Sequence, residues 1–394
     1  MADEGGHPLR LRLLGSDLVA ETRSAQERRT LAGAWSRCRA PDRCREDPEA
    51  RLLAESRADV ASDDAHSSIS EQITEWALAA AAGRFLLLHA CGLSDDRGNV
   101  AALVGQSGAG KSTAARTLGT SFGYVSDEVV AVAADGSVEP FPRPLAVIGD
   151  HWPAAKTQVG PDDLGLLVHP DQMKLRRLVV LDRHPPAGGV PVVTPLSLTE
   201  SLIEVVPQVS YLRALDRPLC ALAAALSVSG PVRLAYTEIA DTADLLRDLL
   251  REPRAEPTGW SAADDDSDDE ESMLWALSDG RVRRRPFADA IRVDDQVVLL
   301  VDRTPVVLSG IGPTIWRAAG HAPTFDELLT TIEANHGPHP DAATIVEDAL
   351  DSLSTAGVIG YRRPQALDDH RRRLGTQPTE PAPPECRGPD HAHD

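Results

Sequence analysis

The stretch "GQSGAGKST", Gly105–Thr113, decides the fold. Its G-x-x-x-x-G-K-S spacing sets glycines where a loop must turn sharply, then Lys111 and Ser112 where a helix opens. Such a loop aims backbone N–H groups and a helix N-terminus, carrying about half a positive charge, at an anion. The apolar run before it, "NVAALVG", has strand length, and residues 111–121 read as the helix. Lys111 is expected on the β- and γ-phosphates of a nucleotide and the Ser112 hydroxyl on Mg²⁺. Gly105, Ser107, Gly108, Ala109, Gly110 and Thr113 complete the expected cradle. The chain has only three lysines, Lys111, Lys156 and Lys174, among its 40 basic residues. A chain that writes almost all positive charge as Arg still writes Lys where a compact point charge suits phosphate.

The length of 394 residues predicts two globular units with linkers. With 42% hydrophobic and 4% aromatic residues, the cores must be built mainly from Ala, Leu and Val. A formal net charge of −20 disfavours nucleic acid and anionic membrane surfaces as partners. Five scattered cysteines without CxxC spacing fit a reduced protein rather than a zinc site. No apolar run reaches the roughly 18 residues of a membrane span, and no secretory pattern opens the chain. A soluble, cytoplasmic protein is the expectation.

Outward from the loop, "FLLLHACGLS" and "NVAALVG" flank the turn cluster "DDRG" and predict a β-hairpin centred near Arg97. That pairing sets His89 across from residues 104–106, at the loop mouth. "GYVSDEVVAV" predicts a strand after the helix, returning Asp127 and Glu128 to the same sheet end. Two adjacent acids there suit a base for an attacking hydroxyl and a metal ligand. The bland reading is a polar turn, and Asp182 in "RLVVLD" is a competing acid. Further strands are expected at 178–182 and 190–194, and helices at 69–82, 198–206, 216–227 and 241–251. The predicted organisation is an N-terminal lobe over 1–68, with strands in 8–22, and a phosphate-loop domain over 69–251. An acidic linker over 252–282, a second domain over 283–362 and a disordered tail over 363–394 follow.

Together, "LLLHACGL", "VGQSGAGKST" and "YVSDEVV" resemble the HPr kinase/phosphorylase family. The likeness covers 84–135 well and the rest to 250 loosely. It implies an α/β P-loop kinase domain that uses ATP and Mg²⁺. It also implies catalytic roles for Asp127 as base, His89 as its support and Lys111 on the phosphates, with Ser112 and Glu128 on the metal. This chain departs from the family in carrying Ala after His89, Glu128 in place of Asp, and no Gly-rich signature segment.

The segment from "VVLLVDRTPVVLS" to "AGVIGY" predicts a hairpin turning at Asp302–Pro305 and helices at 312–319, 324–335 and 341–356. Thr324 with Glu327 forms a capping box, and Ile345, Ala349, Leu350 and Leu353 give the third helix an apolar face. This order resembles PqqD, a small winged-helix domain that binds peptides. The likeness implies capture of a leader peptide as an added strand along Val297, Val298, Leu299, Leu300 and Val301. An unrelated DNA-binding winged helix is disfavoured by Glu347, Asp348 and Asp351 on the third helix. The two resemblances together imply an ATP-dependent Ser/Thr kinase of a ribosomally made precursor peptide. Other peptide-modifying enzymes and a second copy of the chain are further expected partners. The opposing expectation is a non-catalytic module in which ATP gates peptide binding.

Overall fold

The computed structural model describes residues 7–40, 50–53, 62–148, 156–184, 188–253, 258–263 and 280–361. The disordered tail expected over 363–394 and most of the expected linker lie outside these residues. The chain divides into two compact units: residues 1–265 with 287–313, and residues 266–286 with 314–394. This division differs from the boundary expected at 283.

In the first unit, β1 (His7–Leu13) and β2 (Ser16–Thr22) form a hairpin, and β3 (Ala50–Leu53) runs parallel to β2. Leu9, Leu11 and Leu13 alternate inward along β1, the two-residue period of a half-buried strand. Helix α1 (Ala25–Ala34) starts at Ser24, whose hydroxyl accepts from the Glu27 amide. Helix α2 (Ser62–Ala81) is longer than its expected span, and Ile69, Ile73 and Ala77 are buried at i, i+4 spacing. Trp35 is fully buried beside it and donates its indole N–H to Ser70 Oγ at 3.2 Å. The lobe expected to be weakly defined thus shares a core with Leu87, Val129 and Phe141 of the following region.

Next come β4 (Leu86–Leu88), β5 (Ala90–Ser94), β6 (Asn99–Val104), α3 (Lys111–Leu118) and β7 (Gly123–Ser126). After them run β8 (Val130–Val132), β9 (Val138–Glu139), β10 (Leu145–Ile148), β11 (Lys156–Val159), β12 (Leu167–Val168) and β13 (Lys174–Asp182). The region closes with β14 (Val192–Pro195), α4 (Leu198–Val205), β15 (Val209–Ser210), α5 (Pro218–Ser229), β16 (Val232–Ala235) and α6 (Ala243–Arg251). One seven-stranded sheet has the order β12-β7-β5-β6-β13-β16-β14. β6, β13 and β16 are parallel, and β5 runs against both β6 and β7. The C-terminal ends of β6, β7, β13 and β16 therefore meet at one end of the sheet, where ligands bind in open α/β folds. The mixed α/β fold expected around the loop is present. The single strand expected over "GYVSDEVVAV" is instead broken at Asp127–Val129, and β8 joins a separate sheet, β15-β4-β8-β9.

A third sheet has the order β17-β19-β20-β21, from β17 (Trp260–Ala262), β19 (Asp289–Val293), β20 (Gln296–Val301) and β21 (Thr304–Leu308). β17 occupies part of the expected linker. β20 is paired along both edges, and Val297–Leu300 are buried, so the strand expected to take a peptide on its edge has no free edge. The reading of one hairpin misses the extra strand that β19 adds before it. The outer strand, β21, carries Pro305, a residue without a backbone donor and typical of edges. Both two-residue turns begin with Asp in the left-handed region, Asp294 at φ 52° and Asp302 at φ 54°.

The second unit holds a short ladder of β18 (Arg283–Arg284) with β22 (Ile359–Gly360), and helices α7 (Gly312–Ala319), α8 (Phe325–His336) and α9 (Ala342–Thr355). Thr324 and Glu327 form the expected capping box. On α9 the buried face runs through Val346, Leu350 and Leu353, whereas Ile345 is exposed, a rotation from the expected stripe. Arg284 lies over the Trp316 ring, 4.1 Å from its centroid, and donates to the Trp316 carbonyl. The hairpin of the expected winged helix groups with the first unit. Among the described residues no helix is long and apolar enough to cross a membrane.

Within the first unit the third sheet is held to the start of α5 by an ion pair on a buried carboxylate. Asp289 receives Arg217 Nε at 2.9 Å, the Cys220 amide at 3.0 Å and its neighbour Ala290's amide at 2.9 Å. Its side chain is 1% exposed. Thr199 of α4 adds a hydrogen bond to Gln296 at 2.9 Å. A hydrogen bond to a buried charged group is worth about 1.5–3 kcal/mol. Asp289→Ala is expected to destabilise the full chain by that amount in thermal or urea unfolding. An unchanged midpoint would show that apolar packing alone retains the sheet.

Candidate functional site

The β5–β6 register fixes one side of the site. Ala90 pairs with Val104 and Cys91 with Leu103, so His89 precedes β5 opposite Gly105, as the hairpin reading requires. The loop then leaves β6 and enters α3, with Gly108 at φ 86° and Gly110 at φ 100°, a region costly for other L-residues. A Cβ on Gly110 would lie 2.5 Å from Tyr236 Oη, and one on Gly105 would lie 2.7 Å from the Ala109 Cβ. Tyr236 Oη donates to the Ala109 carbonyl at 2.5 Å, and its amide donates to Asp182 O. This tyrosine, just beyond β16, braces the loop and carries no motif by which sequence reading could have found it.

Lys111 is buried and curls over the loop, donating to Gly105 O at 2.5 Å and Gln106 O at 3.5 Å. Burial lowers its pKa, opposed by the charge of Glu128. Ser112 and Thr113 are exposed at the start of α3, and Ser107 and Gly108 are exposed in the loop.

His89 lies beside the acids. Its amide donates to Gln208 O at 2.6 Å, and Nδ1 lies 3.1 Å from the Glu128 carbonyl. A carbonyl only accepts, so Nδ1 carries the proton and Nε2 keeps a lone pair in the neutral ring. Burial, with the Lys111 charge adding, lowers the His89 pKa and favours that neutral ring. The Glu128 carboxylate is 3.7 Å from His89 Nδ1 and 2.6 Å from Arg143 Nη1.

The two adjacent acids have unlike surroundings. Glu128 is about one-third exposed and is coupled in charge to Lys111 and His89. Asp127 is buried and receives Tyr124 Oη at 3.2 Å. Burial raises its pKa to about 6 against the opposing pull of Arg143. Burial and Asp127 together push the Tyr124 hydroxyl and the Cys91 thiol well up, so both stay protonated. Arg143, itself buried, has its Nε without a partner and faces both acids electrostatically. It stands between Pro142 and Pro144, outside any pattern in the sequence, and only folding brings it to Glu128.

Asp182 ends β13, on the other side of β6 from β5. It receives His184 Nδ1 at 2.5 Å, and that bond holds its pKa below the usual range. The strand Val297–Val301, expected to bind peptide, lies in the third sheet and does not join this cluster. Among the described residues no group of three His, Cys, Asp or Glu side chains is placed to hold a metal alone. Magnesium bound with a nucleotide takes most of its ligands from phosphate and water, so a hydroxyl and one carboxylate suit it. Ser112, exposed at the start of α3, and Glu128, about one-third exposed, are the hydroxyl and carboxylate expected there from the sequence.

No family model and no curated protein matches the chain. Among solved structures it is similar to the Hpr(Ser) kinase/phosphatase from Coxiella burnetii, with 13% identity and a TM-score of 0.24, over 42% of this chain and 93% of that one.

The buried Asp127 gives stability a defined pH dependence. Its folded pKa, about 6, lies above the ordinary 3.8, so folding takes up a proton between those values. The stabilisation is fully present below about pH 4 and is lost as pH rises through 6. That displacement corresponds to about 3 kcal/mol. Asp127→Asn should therefore gain on the wild type by up to about 3 kcal/mol between pH 4 and pH 7, read by unfolding at both values. A pH-independent difference would rule out the raised carboxyl.

Proposed function

We propose that the chain is an ATP-dependent phosphotransferase whose acceptor is a Ser or Thr hydroxyl of a ribosomally made precursor peptide. One observation carries the reading: Lys111, neutral His89 and Glu128 gather at the mouth of a phosphate loop. The loop amides and the α3 N-terminus would hold the phosphates, with Lys111 neutralising charge as the bond to the leaving group breaks. Magnesium, when bound, would screen the phosphate oxygens, with Ser112 and Glu128 as its protein ligands.

The acceptor's proton needs an acceptor at the same mouth. The neutral His89 ring keeps a lone pair on Nε2, and Glu128 is held against Arg143 beside it. Asp127, buried against Tyr124, suits a supporting charge for Arg143 better than contact with substrate. Base function therefore rests on His89 with Glu128, rather than on Asp127.

The peptide part of the reading rests on the likeness of the C-terminal sequence to PqqD. Since β20 is paired on both sides, a leader added as a strand would have to lie along one of the sheet's outer strands, β17 or β21, and on β21 Pro305 leaves one donor fewer.

Incubation with ATP, Mg²⁺ and a precursor peptide should add one phosphate by mass. His89→Gln should lower transfer by roughly 10²–10⁴-fold with ATP still bound, the scale of losing a general base, and Glu128→Gln, which also removes the carboxylate offered to magnesium, should lower transfer at least as far. Asp127→Asn should cost less. Full loss in Asp127→Asn alone would return the base to Asp127. ATP binding without transfer to any peptide would favour the non-catalytic, ATP-gated module.

A further inference from the structure

The phosphate loop has two flanks. One carries His89, Lys111 and Glu128. The other opens on a cavity of about 630 Å³, bounded by Gly105–Ala109, the end of β13, and α4 with the turn after it. We propose that this cavity holds the nucleoside of a nucleoside triphosphate whose phosphates lie in the loop. The inference rests on the phosphate loop binding a nucleotide, and goes beyond it in placing the remaining half of the ligand.

Continuity is the first argument. The cavity wall includes five consecutive loop residues, so a ligand seated on their amides extends into it without crossing a barrier. The flank with His89 carries charged side chains, with Arg143 and Glu128 paired at 2.6 Å.

Chemistry is the second. Val180, Leu181 and Ile203 provide apolar wall, and Ile203 is 47% exposed, so its side chain is open to a ligand. Around them lie the Asp182–His184 hydrogen bond and the Arg233–Glu204 ion pair, the latter at 2.6 Å. Carboxylates beside these side chains suit ribose hydroxyls, and a guanidinium suits the polar edge or face of a base. The Arg233–Glu204 pair is partly solvated, with 39% and 37% of its side chains exposed, so either group can turn to a ligand at small cost. The volume lies within the range usual for small-molecule sites.

Asp182 acquires a role by this placement. It ends a hydrophobic strand, as a metal-binding acid of a nucleotide enzyme would, but it opens on the cavity flank. The structure assigns it to the ribose rather than to metal or base chemistry.

The test is calorimetric titration of the full chain with ATP and, separately, with inorganic tripolyphosphate, which fills the loop and leaves the cavity empty. Ile203→Trp fills the cavity, and Arg233→Met removes one charged donor. Each should weaken ATP by about 10–100-fold, the scale of one hydrogen bond to a charged group, while tripolyphosphate binding stays unchanged. Unchanged tripolyphosphate binding also shows that the variant is folded. Lys111→Ala should lose both ligands. ATP affinity unaffected in both variants, or ATP and tripolyphosphate weakened together, would overturn the nucleoside pocket and leave the loop assignment standing. A wild-type chain that binds neither ligand would remove the loop assignment and the pocket with it.

Discussion

The pairing of β5 with β6 is the constraint on which the site depends. Ala90 opposite Val104 leaves His89 and Gly105 as the first residues beyond the ladder on adjacent strands. A slip of one residue would reverse every side chain between the two faces of the sheet. Both faces are filled, Ala102 and Val104 packing on one core and Ala101 and Leu103 on the other, so the register is strongly specified. The histidine at the loop mouth is thus a consequence of packing on both faces.

The second constraint is electrostatic. Asp127 and Glu128 are neighbours in sequence, yet one is buried and the other reaches the loop, because the chain breaks between β7 and β8 at that point. Two adjacent carboxylates cannot both ionise cheaply in a partly dry site, and the buried Arg143 lowers that cost by facing both. Its position also relieves Glu128 of pairing with Lys111, which is left to the loop carbonyls. One arginine without a motif arranges two acids that have one.

The third sheet changes what the C-terminal sequence means. β19 to β21 pack with α4 and α5 in one compact unit, through the Asp289–Arg217 pair and the Thr199–Gln296 bond. The same α4 and the turn after it line the cavity beside the loop, and the Gln208 carbonyl holds the His89 amide. The sheet is therefore structural support behind the site, as well as a candidate docking edge. A buried, fully paired β20 could not serve both purposes.

Local chemistry made much of this legible in advance. The loop glycines, the strand before it and the helix after it are set by dihedral freedom and periodicity, properties of a few adjacent residues. The helices at 198–205 and 325–336 and the Thr324–Glu327 cap are of the same kind. Sequence alone also narrowed the acids to Asp127, Glu128 and Asp182. It set Asp127 and Glu128 ahead of Asp182, but not which of the adjacent pair is buried, because burial and pairing depend on contacts distant along the chain. Arg143 lies 15 residues from Glu128, and Tyr236 lies 127 from Ala109. The number of strands flanking β20 was hidden for the same reason: an apolar run reads alike at an edge and in the middle of a sheet. Only the tertiary structure decides which backbone groups are already paired, since hydrogen bonds between strands join residues whose separation no local pattern encodes.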